Sequence, residues 1–272
     1  MGAINKIQAL MGFAFIFGSL ISGHLSEYEN GMKYIFALIS AGFAVNFGLI
    51  CLIKDAKVER KKQEKQSFNI FKEISLAAQN LRNVNWPKYW DLFVIKLIID
   101  FSFNVFQFNS GLILLKRFGI VGKSFGYVIA TMGIIGIATN LAMMTVKRHL
   151  YSKDDSGLTR LLHGNILLII TYLGFGLNTN FSLFIAYLVP MSVARTLIEA
   201  TFTEVLLGRA SPDEKGSIMG TFDSTLSLGG LVAPVLSGVI ADSWGEDICL
   251  LFCVFPLIFG AILTYSQKMK VQ

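Results

Sequence analysis

Four side chains on one apolar stretch could do chemistry together. Between Trp90 and Leu115 the chain is rich in Leu, Ile, Phe and Val, yet it carries Lys96, Asp100, Asn104 and Gln107. At about 100° per residue these four and Gly111 fall within an arc of roughly 80°, one polar stripe on an otherwise greasy helix. At about 1.5 Å per residue the stretch is long enough to cross a bilayer. A charge at mid-bilayer depth costs roughly 2.5–3.5 kcal/mol, so such a group normally faces a bundle interior or a water-filled path and has a partner. The i, i+4 spacing makes Lys96 and Asp100 each other's nearest partner. Two readings are open: a substrate or ion pathway, or a neutralised ion pair that only fixes helix packing.

A second pair of opposite charge, Arg195 and Glu199, recurs at i, i+4 in the apolar stretch Phe181–Leu207. Its guanidinium stays charged and can grip a carboxylate in a fork, which suits anion binding, ion pairing or gating. Ser192 and Thr203 lie within about 100° of that pair, whereas Glu204 points away from Glu199 and sits near the helix end. Pro190 predicts a kink in the same stretch. The run SLGGLVAPVLSG in Ser217–Ala241 adds Gly220, Gly229, Gly230, Pro234 and Gly238. Small residues let helix backbones approach, and proline interrupts the hydrogen-bond ladder, so these positions read as tight packing or as a gating bend. Asp223, about two turns into this stretch, either titrates or reaches the membrane interface. Asn140 and Asn165 read as interhelical hydrogen-bond glue, and His163 as an interfacial side chain.

Composition decides the class. The 272 residues are 53% hydrophobic and only 15% charged, and mean hydropathy is +0.58, against about 25% charged residues in soluble domains. The reading is an all-α polytopic membrane protein embedded in a lipid bilayer. Cys51, Cys249 and Cys253 all lie in apolar segments and make neither a disulfide framework nor a metal site. No Walker loop or HExxH occurs, and the expectation is no enzyme and no cofactor. The net charge of +6 gathers in membrane-flanking loops, where it reads as topology and not as nucleic-acid binding.

Eight spans can be drawn: Ile7–Leu25, Met32–Ile53, Trp90–Leu115, Ser124–Val146, Leu161–Leu177, Phe181–Leu207, Ser217–Ala241 and Ile248–Ser266. Of the 24 Lys and Arg residues, all but Lys96 and Arg195 lie outside the spans or at their edges. The connections at 54–88, 147–160 and 208–215, with the two tails, hold far more of them than the opposite side, where only Lys33, Lys116, Arg117 and Lys123 fall. The positive-inside rule then puts both termini in the cytosol, in a plasma or endolysosomal membrane that the sequence does not tell apart. The expected units are 1–53, two helices; 54–88, a cytosolic linker whose Ser67–Trp86 part has amphipathic spacing; 89–266, six helices; and 267–272, a tail. Asn180-Phe181-Ser182 matches an N-glycosylation acceptor, in a loop too short for use. Ser22-Gly23 before Glu27 reappears 215 residues later as Ser237-Gly238 before Asp242, a parallel repeat of the kind found in carriers built from two like halves.

The stretch SIMGTFDSTLSLGGLVAPVLSGVIADSWG resembles the penultimate helix of major facilitator superfamily carriers of the tetracycline/proton-antiporter-like branch. LAAQNLRNVNWPKYWDLFVIKLIIDFSFNVFQFNSGLILLKRFGIVGKSFGYVIATMG is similar to the linker and the seventh and eighth helices of that superfamily. SGHLSEYENGMKYIF and ARTLIEATFTEV extend the likeness over nearly the whole chain. The resemblance implies a twelve-helix bundle of two six-helix halves, alternating access to a central site, and coupling to protons or to a second solute. The segment AFIFGSLISGH keeps Gly18 and Gly23 of the family's fifth-helix GxxxGP pattern but lacks its proline. The family's first four helices have no counterpart, so the eight spans correspond to the last eight of twelve, and the expectation is a partial or shortened chain.

The resulting expectation is a secondary transporter of small solutes, proton-coupled, with Lys96, Asp100, Asn104 and Gln107 lining a central cavity and Arg195 and Glu199 assisting. The alternative is a non-transporting scaffold or regulatory protein that pairs with a full-length homologue.

Overall fold

The computed structural model describes residues 2–52, 85–152, 154–211 and 214–271. Among them are nine helices: α1 (Gly2–Leu25), α2 (Gly31–Leu52), α3 (Trp86–Phe118), α4 (Gly122–Leu150), α5 (Leu158–Leu177), α6 (Phe181–Arg209), α7 (Lys215–Trp244), α8 (Glu246–Phe252) and α9 (Val254–Val271). The linker expected at 54–88 and its amphipathic segment lie almost wholly outside the described residues. Six of the helices are long and apolar enough to cross a membrane, taking Ile248–Lys270 as one, and Gly12–Leu25 is a shorter apolar helix.

Local sequence explains the helix ends. Pro87 stands in the first turn of α3, where a missing N–H costs nothing. Gly119 ends α3 in the left-handed conformation, φ 65°, with its N–H returned to Leu115 O at 2.9 Å and that of Ile120 to Leu114 O at 2.9 Å. Asn180 caps α6, its side-chain oxygen accepting from the N–H groups of Ser182 at 2.9 Å and Leu183 at 3.4 Å. The Asn of the glycosylation triplet is thus committed to the fold. Pro190 and Pro234 lie inside α6 and α7, which both run through them without a break. The last span does break, at Cys253 between α8 and α9. Pro256 has no N–H to offer the Phe252 carbonyl, which accounts for the interruption.

The helices do not pack in chain order. α1 lies along α4 and touches α2 only lightly; α3 lies along α7 and α9; α5 lies against α6 and α9; and α4 meets α6. The buried side chains concentrate on α3, α5 and α6, with Tyr89, Phe106, Tyr172, Phe175, Phe184 and Phe202 the largest. α2 is exposed along nearly its whole length, and one face of α7, including Leu231 and Val235, is exposed as well. Lipid tails are as apolar as leucine, so in a membrane such faces need no protein cover, and small residues set which helices approach.

The α3–α7 contact shows this at the Gly-rich run. A methyl group on Gly229 would lie 3.1 Å from the Phe101 backbone nitrogen and 3.2 Å from the Asp100 carbonyl carbon, while one on Gly220 or Gly238 would meet nothing within 4 Å. Packing therefore rests on Gly229 and on Gly230 beside Asn104. Gly229→Ala is expected to destabilise by about 1–3 kcal/mol as an overpacked contact. Gly220→Ala is expected to be neutral or to stabilise by up to about 1 kcal/mol through helix propensity. Thermal unfolding of the purified variants checks both.

Candidate functional site

The two i, i+4 pairs read from the sequence form one cluster. Lys96 Nζ on α3 donates to Asp100 Oδ1 at 2.9 Å and, across to α6, to Glu199 Oε1 at 2.9 Å and Oε2 at 3.2 Å. Arg195 Nη2 stands 3.0 Å from Glu199 Oε1 and 3.7 Å from Asp100 Oδ1. The Arg195 guanidinium also lies over the Phe103 ring, 3.8 Å from its centroid, a cation–π contact strengthened by exclusion of water. Two cations and two carboxylates balance to zero charge, which makes such a cluster tolerable at this depth. Arg195 is the middle residue of the 29-residue α6, roughly 21 Å from either end at 1.5 Å per residue. Asp100 is fully buried, whereas the Glu199 side chain is 38% exposed.

Beside the cluster is a cavity of about 450 Å³ between α1, α3, α4 and α6. Its wall is mainly apolar, with Phe15, Phe103, Met132, Ile137, Leu188 and Met191, and its polar points are Gln107, Asn140, Ser192, Arg195 and Thr196. A mostly apolar hollow with a few convergent polar groups is the usual form of a small-molecule site.

The α3 stripe divides between two neighbours. Gln107 faces this cavity. Asn104 turns toward α7, donating to Asp100 O at 2.8 Å and Leu226 O at 3.3 Å. Asp223 is exposed on α7. Thr203 donates to the Glu199 carbonyl at 3.1 Å. The two asparagines read as interhelical glue behave otherwise: Asn140 donates to Gly136 O of its own helix at 2.9 Å, and Asn165 is fully buried with neither amide atom hydrogen-bonded among the described residues. His163 Nδ1 lies 3.2 Å from the Tyr151 hydroxyl, at the helix end.

A second charged network escaped the sequence reading. Where α4 hands over to α5, Arg160 pairs with Asp154 through Nε at 3.1 Å and with Glu204 of α6 through Nη1 at 2.8 Å, and Lys147 of α4 also reaches Glu204 at 2.6 Å. Gly157, at φ 74°, opens α5 here, and a methyl group on it would lie 2.6 Å from Val205 Cγ2. The missed signal was Asp154 and Gly157 ahead of Arg160, a turn that folds an acid back onto the helix start. At the same end of the bundle Arg209 Nη1 grips both oxygens of Asp91, at 3.0 and 2.9 Å. These pairs tie α3, α4, α5 and α6 together at one membrane face.

The Asp154 carboxyl titrates below its ordinary value: burial pushes it up, but the backbone and side-chain hydrogen bonds from Arg160, with that from the Thr159 N–H, outweigh burial. A carboxylate with a depressed folded pKa contributes stability that is present above its unfolded value of about 3.9 and lost as pH falls through the folded one. The thermal midpoint is therefore expected to fall on acidification below about pH 4, and Asp154→Asn to flatten part of that decline while lowering the midpoint at pH 7. Unfolding scans between about pH 3 and pH 7 check it.

No profile of a known protein family matches the chain. It is similar to multidrug resistance protein 2 of Bacillus subtilis (strain 168), 20% identical over 268 residues, covering 98% of this chain and 64% of that protein. It is similar also to solute carrier family 22 member 18 of Rattus norvegicus, 23% identical over 252 residues, covering 90% of this chain and 58% of that one. Among solved structures, the human organic anion transporter MFSD10 (TETRAN) matches with a TM-score of 0.66 at 17% identity, over 96% of this chain and 63% of that chain. The chain thus spans less than two thirds of the length of each of these proteins. The described residues form an all-helical bundle with several helices long and apolar enough to cross a membrane, arranged as in that transporter, so the chain has the major facilitator fold of a polytopic membrane protein.

Proposed function

We propose that the chain forms part of a secondary carrier that moves a small solute across a membrane by alternating access. The observation that carries this reading is the neutral cluster of Lys96, Asp100, Arg195 and Glu199 at the middle of α3 and α6, against a cavity of about 450 Å³. A buried ion pair is weak evidence for stability alone, because well-packed apolar side chains do as well. Its position beside a solute-sized hollow gives it a second use. Glu199, the more exposed carboxylate, is the group proposed to exchange a proton, which would release Arg195 and Lys96 to pair with Asp100 alone. Both termini are proposed to face the cytosol, on the balance of Lys and Arg between the loops.

The test is labelling of Ser192→Cys, a cavity residue, with a membrane-impermeant thiol reagent in sealed, oriented vesicles, the native cysteines having been replaced by serine. Labelling from both faces is expected, and Glu199→Gln, fixed in the uncharged form, is expected to shift it at least about tenfold toward one face, a bias of about 1.4 kcal/mol between the two states. Labelling from one face only, under every condition and in every variant, would overturn the carrier reading.

A further inference from the structure

Helix α7 has three faces. One buries Phe222, Gly229, Ala233 and Ile240, with Gly229 against the α3 backbone and the Phe222 ring 4.6 Å from that of Phe93 on α3. A second, with Leu228, Val232, Val235 and Val239, is exposed and wholly apolar, as a surface turned to lipid is. The third carries Gly216, Gly220, Asp223, Ser227, Pro234 and Gly238, which at about 100° per residue fall within an arc of roughly 60°, with Leu231 at its edge. A methyl group on Gly216, Gly220 or Gly238 would meet nothing within 4 Å. Asp223 is exposed and makes no hydrogen bond or ion pair among the described residues.

The chain's own repeat uses the matching face of α1. At the offset of 215 residues, Ser227, Pro234 and Gly238 correspond to Gly12, Ser19 and Gly23. In α1 these three meet α4: a methyl group on Gly12 would lie 2.6 Å from Ile137 Cγ1, one on Gly23 2.9 Å from Gly126 Cα, and one on Gly126 2.7 Å from the Ser19 carbonyl oxygen. Asp223 adds a charge to this face. It is the ninth residue of α7, roughly 12 Å from the Lys215 end at 1.5 Å per residue. A carboxylate at such depth normally faces a partner or a water-filled path. The cavity beside the Lys96 cluster is walled by α1, α3, α4 and α6, without α7.

We infer that this face of α7 takes a membrane-spanning helix from outside these 272 residues, one with small residues where it crosses Gly238 and a lysine or arginine level with Asp223. A second copy of the chain does not fit. Its described Lys and Arg residues lie within two turns of a helix end, apart from Lys96 and Arg195, which are engaged with Asp100 and Glu199. Lys33, on the exposed α2, stands at the opposite end of the bundle from Lys215, because α2 follows the end of α1 that meets the start of α4. Close backbone approach supplies the packing, and the ion pair selects the partner, since a helix without the cation leaves the carboxylate unpaired in hydrocarbon.

The probe is a synthetic helix of about 22 residues, alanine and leucine around a Gly-x-x-x-Gly pair, made once with lysine and once with methionine at the depth of Asp223. Energy transfer from a dye on the probe to one on the full chain, in phosphatidylcholine vesicles and normalised to inserted probe, reads the association. The lysine helix is expected to associate at least about tenfold more tightly than the methionine helix. Asp223→Asn is expected to erase that difference, and Gly220→Leu, which fills the open face, to weaken both helices about tenfold. Equal association of the two helices with the unsubstituted protein overturns the inference and needs no variant to fold. Energy transfer between labelled copies of the chain that Gly220→Leu abolishes overturns it as well, because a second copy then occupies the face. Neither result touches the carrier reading, whose test is the labelling of the cavity.

Discussion

Lys96→Met is expected to abolish the two-sided labelling of the cavity and to destabilise the protein by about 3 kcal/mol, the low end for a broken buried ion pair. The lysine ammonium is shared between Asp100, fully buried at 2.9 Å, and Glu199 at 2.9 Å. Removing it leaves two carboxylates and the single cation Arg195, a net charge of minus one at mid-helix depth. The low end applies because Glu199, 38% exposed on its side chain, can still draw on water. The double variant Lys96→Met with Glu199→Gln restores neutrality, and most of the lost stability is expected to return, while the cavity stays fixed toward one face. Unfolding midpoints of the single and double variants, with the labelling assay, separate the two effects. A single variant as stable as the unsubstituted protein would show that the cluster's charge count does not matter.

The second large effect is expected at the crossing of α1 and α4. A methyl group on Gly126 would lie 2.7 Å from the Ser19 carbonyl oxygen and 3.0 Å from Gly23 Cα, and one on Gly23 would lie 2.9 Å from Gly126 Cα. These are backbone atoms, which no rotamer change can move aside. Gly126→Val is therefore expected to push the helices apart and to cost about 2–3 kcal/mol, the upper part of the range for overpacking. Gly18→Val on the same α1, where an added methyl meets nothing within 4 Å, is the matched control and is expected to stay within about 0.5 kcal/mol. Spin-label distances between α1 and α4 are expected to lengthen only in the first variant. The separation also reaches the cavity, since Gly12 and Phe15 of α1 and Gly133 and Ile137 of α4 form one of its walls.

Membrane class and most helix positions were legible because long apolar runs leave few other solutions. The i, i+4 spacing placed Lys96 with Asp100 and Arg195 with Glu199. That the two pairs are one cluster depends on α3 meeting α6, and no periodicity within a helix says which neighbour it faces. The same limit explains Asn104 and Gln107. A stripe about 80° wide can touch two neighbours, and here one residue turned to α7 and the other to the cavity. Gly220, Gly229 and Gly238 look alike in sequence, yet only Gly229 meets another backbone closely. The Asp154–Arg160–Glu204 network is hard to read for another reason: single charges near helix ends ordinarily reach water, and it takes the left-handed Gly157 turn to bring Asp154 to Arg160 and the packing of α6 on α5 to bring Glu204.

Helix α5 is fastened at both ends. Arg160 holds its start to Asp154 and Glu204, and Arg117 from α3 donates to the carbonyls of Phe175 at 2.7 Å and Asn178 at 2.6 Å at its finish. Between these fastenings only Leu161–Leu177 is free to meet hydrocarbon, about 25 Å at 1.5 Å per residue, against about 30 Å for an average bilayer core. Neither end can slide outward without breaking its charged contacts. Where the hydrocarbon is thicker than this stretch, tilt of the whole bundle or local thinning of the lipid takes up the difference, so membranes of shorter acyl chains are expected to accommodate the protein with less deformation.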